Sequence, residues 1–226
     1  MKETGLMFKA PLVRAILSGQ KTQTRRVVKW RDLQKGLNLG FSGLRATKTA
    51  NGWVLESDSR SSSEWRCKPT RCPMGQPGDR IYVRETWNPD PPCDGTWGYT
   101  AWAGCRGGQI EGVPEQFRSP EHCMYAATSD ADLVWTPSIH MPKWAARIWL
   151  EITGVRVERL QQISEVDCRA EGAHGGHGSI PGYAYSATPK EHFQHIWEST
   201  GGDWAANPCV WVIDFKQIPL PREQGS

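Results

Sequence analysis

The residues with the most evident chemical potential are the amine, hydroxyl and guanidinium side chains of the string GQKTQTRR at residues 19–26. Residues 1–36 around it carry nine lysine and arginine side chains against Glu3 and Asp32, which is a net charge of +7. The whole chain is only +3, so the remaining residues sum to −4 (+3 minus +7). A positive field concentrated in this way suits a phosphate-bearing or nucleotide-like partner, and a solvated basic face is the alternative interpretation.

The string follows a short predicted helix. Pro11 is favourable in a first helical turn, and Leu12, Ile16 and Leu17 fall on one face. Gly19 is placed to end the helix, so the string begins where the helix stops.

Regular structure is predicted on both sides of two loop-rich stretches. Strands are predicted at 81–87, at 146–160 as one long strand or a hairpin arm, and at 209–218, and helices at 164–172 and 190–199. Strands combined with a few short helices and many glycine turns indicate an α+β fold built as a small barrel.

The loop-rich stretches are residues 37–75 and 88–135. The first is rich in Ser, Gly, Thr and Arg, which predicts loops and short hairpin strands. The second has little periodicity and many Gly and Pro residues, which is typical of a long insertion. We therefore expect a single domain over residues 1–226 that carries two insertions.

The predicted helix at 164–172 places a carboxylate at its C-terminal end. Ser164 and Asp167 resemble a capping box, and Gly172 is placed to stop the helix. Glu171 is therefore expected on the last helical turn.

The spacing of Gly19, Lys21 and Arg26, G-x-K-x-x-x-x-R directly after a helix, resembles the signature of the ASCH family of PUA-like β-barrel proteins. Thr22 and Thr24, and the later segments ISEVDCRAEG and NPCVWVIDFK, follow in the order that this family uses. The resemblance implies a barrel built around a cleft that faces the helix and the loop after it.

The resemblance covers roughly the first 35 residues, 76–87 and 140–218. The loop-rich stretches are departures from the smallest family members, and we expect them to give a roomier or lidded pocket. The larger form also looks like family members encoded in phages and prophages.

Amidohydrolases of this family that act on N4-acetylcytidine use a lysine, a threonine three residues later and a glutamate on a later helix. The resemblance therefore implies catalytic roles for Lys21, Thr24 and Glu171. Amide hydrolysis needs a nucleophile, a group that accepts its proton and an acid that protonates the leaving amine. Thr24 Oγ would attack, Lys21 would accept the proton if burial and nearby positive charge lower its pKa, and Glu171 would donate to the exocyclic nitrogen.

Arg26 and Glu85 are the candidate substrate-binding residues. Glu85 is a carboxylate on a strand whose other members are apolar, which is typical of a pocket residue, and a structural ion pair with Arg26 is the alternative. Lysine and arginine in a basic loop also serve as solvated charges, and a threonine after a helix serves as a turn or cap residue.

The cysteines do not form a zinc pattern. The candidates are Cys67, Cys72, Cys93, Cys105 and Cys123 with His122. No C-x2-C pair occurs and the intervening loops are irregular in length, so we predict neither a metal nor another cofactor. Seven cysteines without an export signal indicate reduced thiols or metal ligands rather than a disulfide framework.

No run of residues approaches the length of a membrane span, and the start MKETGLMFKA has no apolar signal core. We expect a soluble cytoplasmic protein with no membrane partner. The leading hypothesis is a metal-independent amidohydrolase that removes an acyl group from N4 of a modified cytidine or a related nucleoside. The alternatives are a module that binds RNA or a modified base, and a ribonuclease.

Overall fold

The computed structural model describes residues 1–33, 43–57, 66–92 and 113–221. The chain divides into two compact units, each assembled from separated stretches of sequence. The first comprises residues 1–19, 78–151 and 216–226, and the second comprises residues 20–77 and 152–215.

The first unit is organised around strand pairing and an aromatic core. It holds β1 (Glu3–Met7), α1 (Ala10–Leu17), β5 (Arg80–Arg84), β6 (Trp87–Pro89) and β7 (Cys123–Tyr125). β1 runs parallel to β5 with Gly5 opposite Tyr82, where a Cβ on Gly5 would lie 2.6 Å from the tyrosine ring. Glycine is therefore required for this close approach. Buried Trp87, Tyr125 and Trp149 form much of the core.

The second unit carries the basic string. It holds β2 (Gln23–Val27), the hairpin of β3 (Leu44–Thr49) and β4 (Gly52–Ser57), α2 (Glu165–Ala170) and α3 (Pro189–Ser199). In its core, side chains of both helices pack against residues before and after α2 and against the strand at 209–218. The buried residues of this cluster are Leu160, Ile163, Cys168, Ala173, Phe193, Trp197, Val210 and Val212.

The two longest strands are β8 (Trp149–Arg159) and β9 (Cys209–Ile218), and each has residues assigned to both units. The five-stranded sheet has the order β1-β5-β8-β9-β2, and two further sheets are the pairs β3-β4 and β6-β7. β2 lies antiparallel to β9, with Thr24 opposite Ile213 and Arg26 opposite Trp211.

The fold class is confirmed at the level of α+β, since the structure is mostly sheet with a few short helices. The predicted closure into a barrel is not found among the described residues, because β1 and β2 are the edges of the sheet order. The predicted single domain over residues 1–226 stays a prediction. Within the described part of the chain, no helix is both long and apolar enough to cross a membrane.

Most predicted elements match the structure closely. The helix after Pro11, the hairpin within 37–75, the long strand within 146–160 and the closing strand at 209–218 are all present. In 88–135, the described residues form β6, β7 and short 3-10 turns, while residues 93–112 lie outside the described residues.

The strand predicted at 81–87 is divided into β5 and β6. The backbone N–H of Glu85 donates to Met141 Sδ at 3.1 Å instead of continuing the sheet ladder. Met141 is 56 residues away from Glu85 in sequence, so the local pattern of apolar residues does not predict this contact.

Candidate functional site

The segment before β2 is held between the end of α2 and the end of β9. The Thr22 backbone N–H donates to Ala170 O at 2.8 Å, and the Phe215 N–H donates to Thr22 O at 2.9 Å. Lys21 and Glu171 form an isolated antiparallel bridge. The Ser164 hydroxyl accepts from Asp167 N as predicted, so α2 starts where expected and Glu171 becomes its C-terminal cap residue.

Lys21 and Glu171 form a buried ion pair. Their relative exposures are 2% and 5%, and Lys21 Nζ lies 2.5 Å from Glu171 Oε2. The same nitrogen donates to the backbone oxygens of Gln23 at 2.8 Å and Glu171 at 2.9 Å. These three acceptors match the three hydrogens of an ammonium group.

The environment lowers the pKa of Lys21. Burial is the largest cause, because it disfavours the charged amine. The Glu171 carboxylate opposes this shift, and the guanidinium groups of Arg26 and Arg25 add to it. The amine is thus easier to deprotonate than an exposed lysine.

Arg25 is the second cation at this carboxylate, and sequence reasoning gave it no structural role of its own. It is buried, and its Nη1 lies 3.3 Å from Glu171 Oε1. Its Nη2 lies 3.3 Å from both Asp167 Oδ2 and Glu158 Oε2. Its Cζ is 5.8 Å from the centroid of the Phe193 ring. Arg25 therefore links β2 to β8, α2 and α3.

A polar network surrounds this pair and was also missed from sequence. Gln23 Nε2 donates to Asp167 Oδ1 at 3.0 Å and to Asp214 Oδ1 at 2.7 Å. Arg156 contacts the carboxylates of Glu158, Asp167 and Asp214. The only local signal was a run of four polar residues at 23–26, because the acidic partners of Gln23 and Arg25 lie more than 100 residues away in sequence.

Thr24 and Arg26 form a separate pair along β2. Thr24 is 1% exposed, and Arg26 Nη1 donates to Thr24 Oγ1 at 2.7 Å and to Arg25 O at 2.8 Å. Alternate residues of a strand point to opposite faces, so Thr24 and Arg26 share one face and Gln23 and Arg25 share the other. Desolvation lowers the pKa of Arg26, and Glu171 opposes this shift.

The arrangement permits proton exchange within the site. A proton shared over 2.5 Å between Lys21 Nζ and Glu171 Oε2 gives either an ammonium with a carboxylate or an amine with a carboxylic acid. The second form pairs a base with an acid without changing the net charge. A guanidinium against Thr24 Oγ1 also supplies positive charge where an attacking oxygen would develop negative charge.

Glu85 lies in the first unit and has a different partner from the one considered from sequence. Its two carboxylate oxygens accept from Arg147 Nε and Nη2, each at 2.9 Å, so the pair with Arg26 is wrong. Glu85 is 1% exposed, and burial raises its pKa against the opposing effect of Arg147. Arg147 also stacks on the Tyr125 ring with its Cζ 4.0 Å from the centroid. A substrate-binding role for Glu85 stays a prediction.

The five cysteines that the structure describes are free thiols. In the described ranges, no group of three or more His, Cys, Asp or Glu side chains is arranged to hold a metal ion. Cys93 and Cys105 lie outside the described residues.

Comparisons with known proteins found no similar protein. No protein-family model matches the chain, and neither a curated protein nor a solved structure matches it. The functional interpretation therefore depends on the residues and geometry described above.

The buried pair makes a prediction for stability. Glu171→Leu should lower the free energy of unfolding by about 3–5 kcal/mol, because it leaves the Lys21 ammonium buried without a carboxylate. Lys21→Met should also destabilise, whereas the double variant should recover part of the loss because both charges are removed together. Urea denaturation followed by circular dichroism measures all three.

Glu165→Leu is the matched control, because it removes an exposed carboxylate from the first turn of the same helix. It should change stability by less than about 1 kcal/mol. Additive losses in the double variant would show that Lys21 and Glu171 do not stabilise each other.

Proposed function

We propose that the chain is an ASCH-type, PUA-like protein that hydrolyses the amide bond of N4-acylated cytidine or a related nucleoside without a metal. Lys21, Thr24 and Glu171 carry out the reaction, and Arg26 and Glu85 bind the substrate. The products are a carboxylic acid and the free exocyclic amine.

The observation that carries this proposal is the burial of Lys21 against Glu171 at 2.5 Å. A lysine that only contacts a phosphate or solvent gains nothing from a buried carboxylate at its amine. In the proposed reaction, the close contact lets a proton pass between Lys21 Nζ and Glu171 Oε2, so one group can accept a proton while the other donates one.

In the first step, the pair reacts from its neutral form. Thr24 Oγ attacks the acyl carbon while its proton moves to the Lys21 amine, which becomes an ammonium. The C–N bond then breaks, and the Glu171 carboxylic acid gives its proton to the N4 nitrogen. The result is an acyl ester on Thr24, an ammonium on Lys21 and a carboxylate on Glu171.

In the second step, water cleaves the ester. The Glu171 carboxylate takes one proton from water, and the resulting hydroxide forms the new bond to the acyl carbon. As the ester C–O bond breaks, the Lys21 ammonium returns its proton to Thr24 Oγ. Both groups then regain the forms in which they started, so the cycle consumes one water and no other reagent.

Arg26 stabilises the negative charge that develops when Thr24 attacks the acyl carbon. Its Nη1 lies 2.7 Å from Thr24 Oγ1, so its positive charge stabilises the attacking oxygen and the carbonyl oxygen beside it. A neighbouring guanidinium also favours the neutral form of Lys21.

Ribonuclease activity has less support. It would use Lys21 as a phosphate contact, but this lysine is buried and its Nζ donates to Glu171 Oε2 and to the backbone oxygens of Gln23 and Glu171. A module that binds RNA or a modified base remains the second candidate, because basic side chains line a cavity in the same unit.

Removal of the Thr24 hydroxyl tests the nucleophile. Thr24→Val keeps the shape and should lower kcat/KM for N4-acetylcytidine by at least about 100-fold, while Thr24→Ser should keep part of the activity. The change in ultraviolet absorbance on loss of the acyl group measures turnover.

Thr22→Val is the matched control, because Thr22 is exposed and its described hydrogen bonds use only backbone atoms. Its activity should equal that of the unaltered chain. Full activity in Thr24→Val, with an unchanged circular dichroism spectrum, would exclude Thr24 as the nucleophile.

The pH dependence tests Lys21 and Glu171 together. The reacting pair must hold one proton, so the rate should fall with rising pH once Lys21 loses that proton to solvent, because no proton is then left for the N4 nitrogen. This limb should lie below the usual range for lysine because burial lowers the pKa of Lys21. Arg26→Gln removes a positive charge that lowers this pKa, so the limb should move to higher pH. Glu171→Gln removes the acid together with the carboxylate that raises this pKa, so its residual rate should instead rise with pH as Lys21 becomes a neutral base, at a lower pH than the limb of the unaltered chain.

Glu171→Gln should also lower kcat, because no carboxylic acid remains to protonate N4. The defect should be smaller for a substrate with a better leaving group. Measurement of kcat and KM across pH separates these effects. A Glu171→Gln protein that loses affinity but retains kcat and the position of the limb would show that this carboxylate binds the base instead of acting as an acid.

A further inference from the structure

A second feature of the same unit is a cavity of about 1100 Å³. It is bounded by the end of β2 and the residues after it, the turn between β3 and β4, the segment 68–74, and Trp211 of β9. Much of its wall therefore belongs to the stretch 37–75 that departs from the smallest ASCH proteins.

The charged lining of the cavity is basic. Its charged side chains are Arg26, Lys29, Arg31, Lys68 and Arg71, and no carboxylate is present among the lining residues that the structure describes. Asp32 pairs with Lys68 and offsets one of these charges. Across the described ranges, Lys29 and Arg31 make no ion pair of their own.

Cations gathered on a concave surface repel one another. Together they give the cavity a positive potential, which favours a ligand of opposite charge in the space between them. Four of the five side chains are exposed, so they are solvated and able to meet a ligand. The arginine fork matches the oxygens of a phosphate, and lysine adds a point charge to the same group.

Arg26 joins this cavity to the candidate active site. It lines the cavity and donates from Nη1 to Thr24 Oγ1 at 2.7 Å. A ligand bound along the basic wall therefore lies next to the hydroxyl that the proposed reaction uses.

We infer that this cavity binds the phosphate groups of a phosphorylated form of the substrate, so that the acylated cytidine is presented as a nucleotide or within an oligonucleotide. The identity of the base rests on the proposed function, whereas the phosphate site rests on the cavity alone. The volume is slightly above the usual range for small-molecule pockets, which leaves room for a sugar and more than one phosphate.

A binding experiment tests the phosphate site without any chemistry. Calorimetry compares cytidine 5′-monophosphate with cytidine, and fluorescence anisotropy follows a labelled single-stranded oligocytidylate at low and at physiological salt. We expect at least one phosphorylated ligand to bind about 10-fold or more tightly than cytidine, with affinity falling as salt rises.

The combined variant Lys29→Gln, Arg31→Gln and Arg71→Gln removes three lining charges and leaves Arg26 in place. It should abolish most of the phosphate-dependent affinity and flatten its salt dependence. The matched control removes three exposed cations elsewhere in the unit, Lys48→Gln, Arg169→Gln and Lys190→Gln, and should retain the affinity.

The two ligands distinguish the source of the phosphate. Preference for the monophosphate identifies a nucleotide site, and binding of the oligocytidylate alone identifies backbone phosphates. Equal affinity for cytidine and both phosphorylated ligands, or equal losses in the lining and control variants, would overturn the inference.

Kinetics separates this inference from the proposed function. With acylated substrates, the lining variant should raise KM for the phosphorylated form about 10-fold or more and leave kcat unchanged, and it should not affect the unphosphorylated nucleoside. If no acylated cytidine is hydrolysed but the lining variant still loses phosphate binding, the proposed reaction fails and the phosphate site stands. If hydrolysis proceeds equally with and without phosphate in both proteins, the phosphate site fails and the reaction stands.

Discussion

The burial of Lys21 and Arg25 against Glu171 is the constraint on which the second unit depends. Removing two cations from water is costly, and this cost is offset only when carboxylates and backbone oxygens lie at hydrogen-bonding distance. Glu171 supplies one carboxylate from the end of α2, and Asp167 and Glu158 share the second guanidinium nitrogen of Arg25. The chain from Lys21 into β2, the end of α2 and the end of β8 therefore all contribute to this cluster of charges, so their positions depend on one another.

The alternation of side chains along β2 places the contacts to acidic residues on one face and the proposed reactive group on the other. Gln23 and Arg25 hold the strand to its acidic neighbours, while Thr24 and Arg26 share the opposite face. The contacts that hold β2 to its acidic neighbours therefore lie on the face opposite Thr24, the proposed nucleophile. Lys21, the proposed base, precedes the strand, and its amine donates to the Gln23 carbonyl, so it is fixed to the same backbone that carries Thr24.

Local patterns predicted most of the elements, and long-range pairing explains what they missed. Pro11 with Gly19, and Ser164 with Asp167, mark helix ends through contacts within a few residues, so α1 and α2 were found. The break after β5 depends on Met141, and the partner of Glu85 is Arg147, both more than 50 residues away. Barrel closure was expected from the strands and glycine turns as well as from the resemblance, but strand content does not fix which edges meet. Of the candidate site residues, the structure joins Lys21 to Glu171 and Arg26 to Thr24, whereas the contacts of Arg25 and Gln23 were not predicted because their acidic partners lie far away in sequence.

The buried pair and the basic cavity respond to solvent in opposite ways, and this difference suits them to separate tasks. Lys21 and Glu171 interact where little water or salt can enter, so ions in solution screen their mutual attraction only weakly. Lys29, Arg31 and Arg71 face solvent, where salt weakens their attraction for a ligand. In the proposed reaction, a chemical step based on the pair would depend little on ionic strength, whereas binding of a charged ligand would weaken as salt rises. Arg26 lines the cavity and bonds to Thr24, so a phosphate ligand and the proposed nucleophile would contact the same guanidinium.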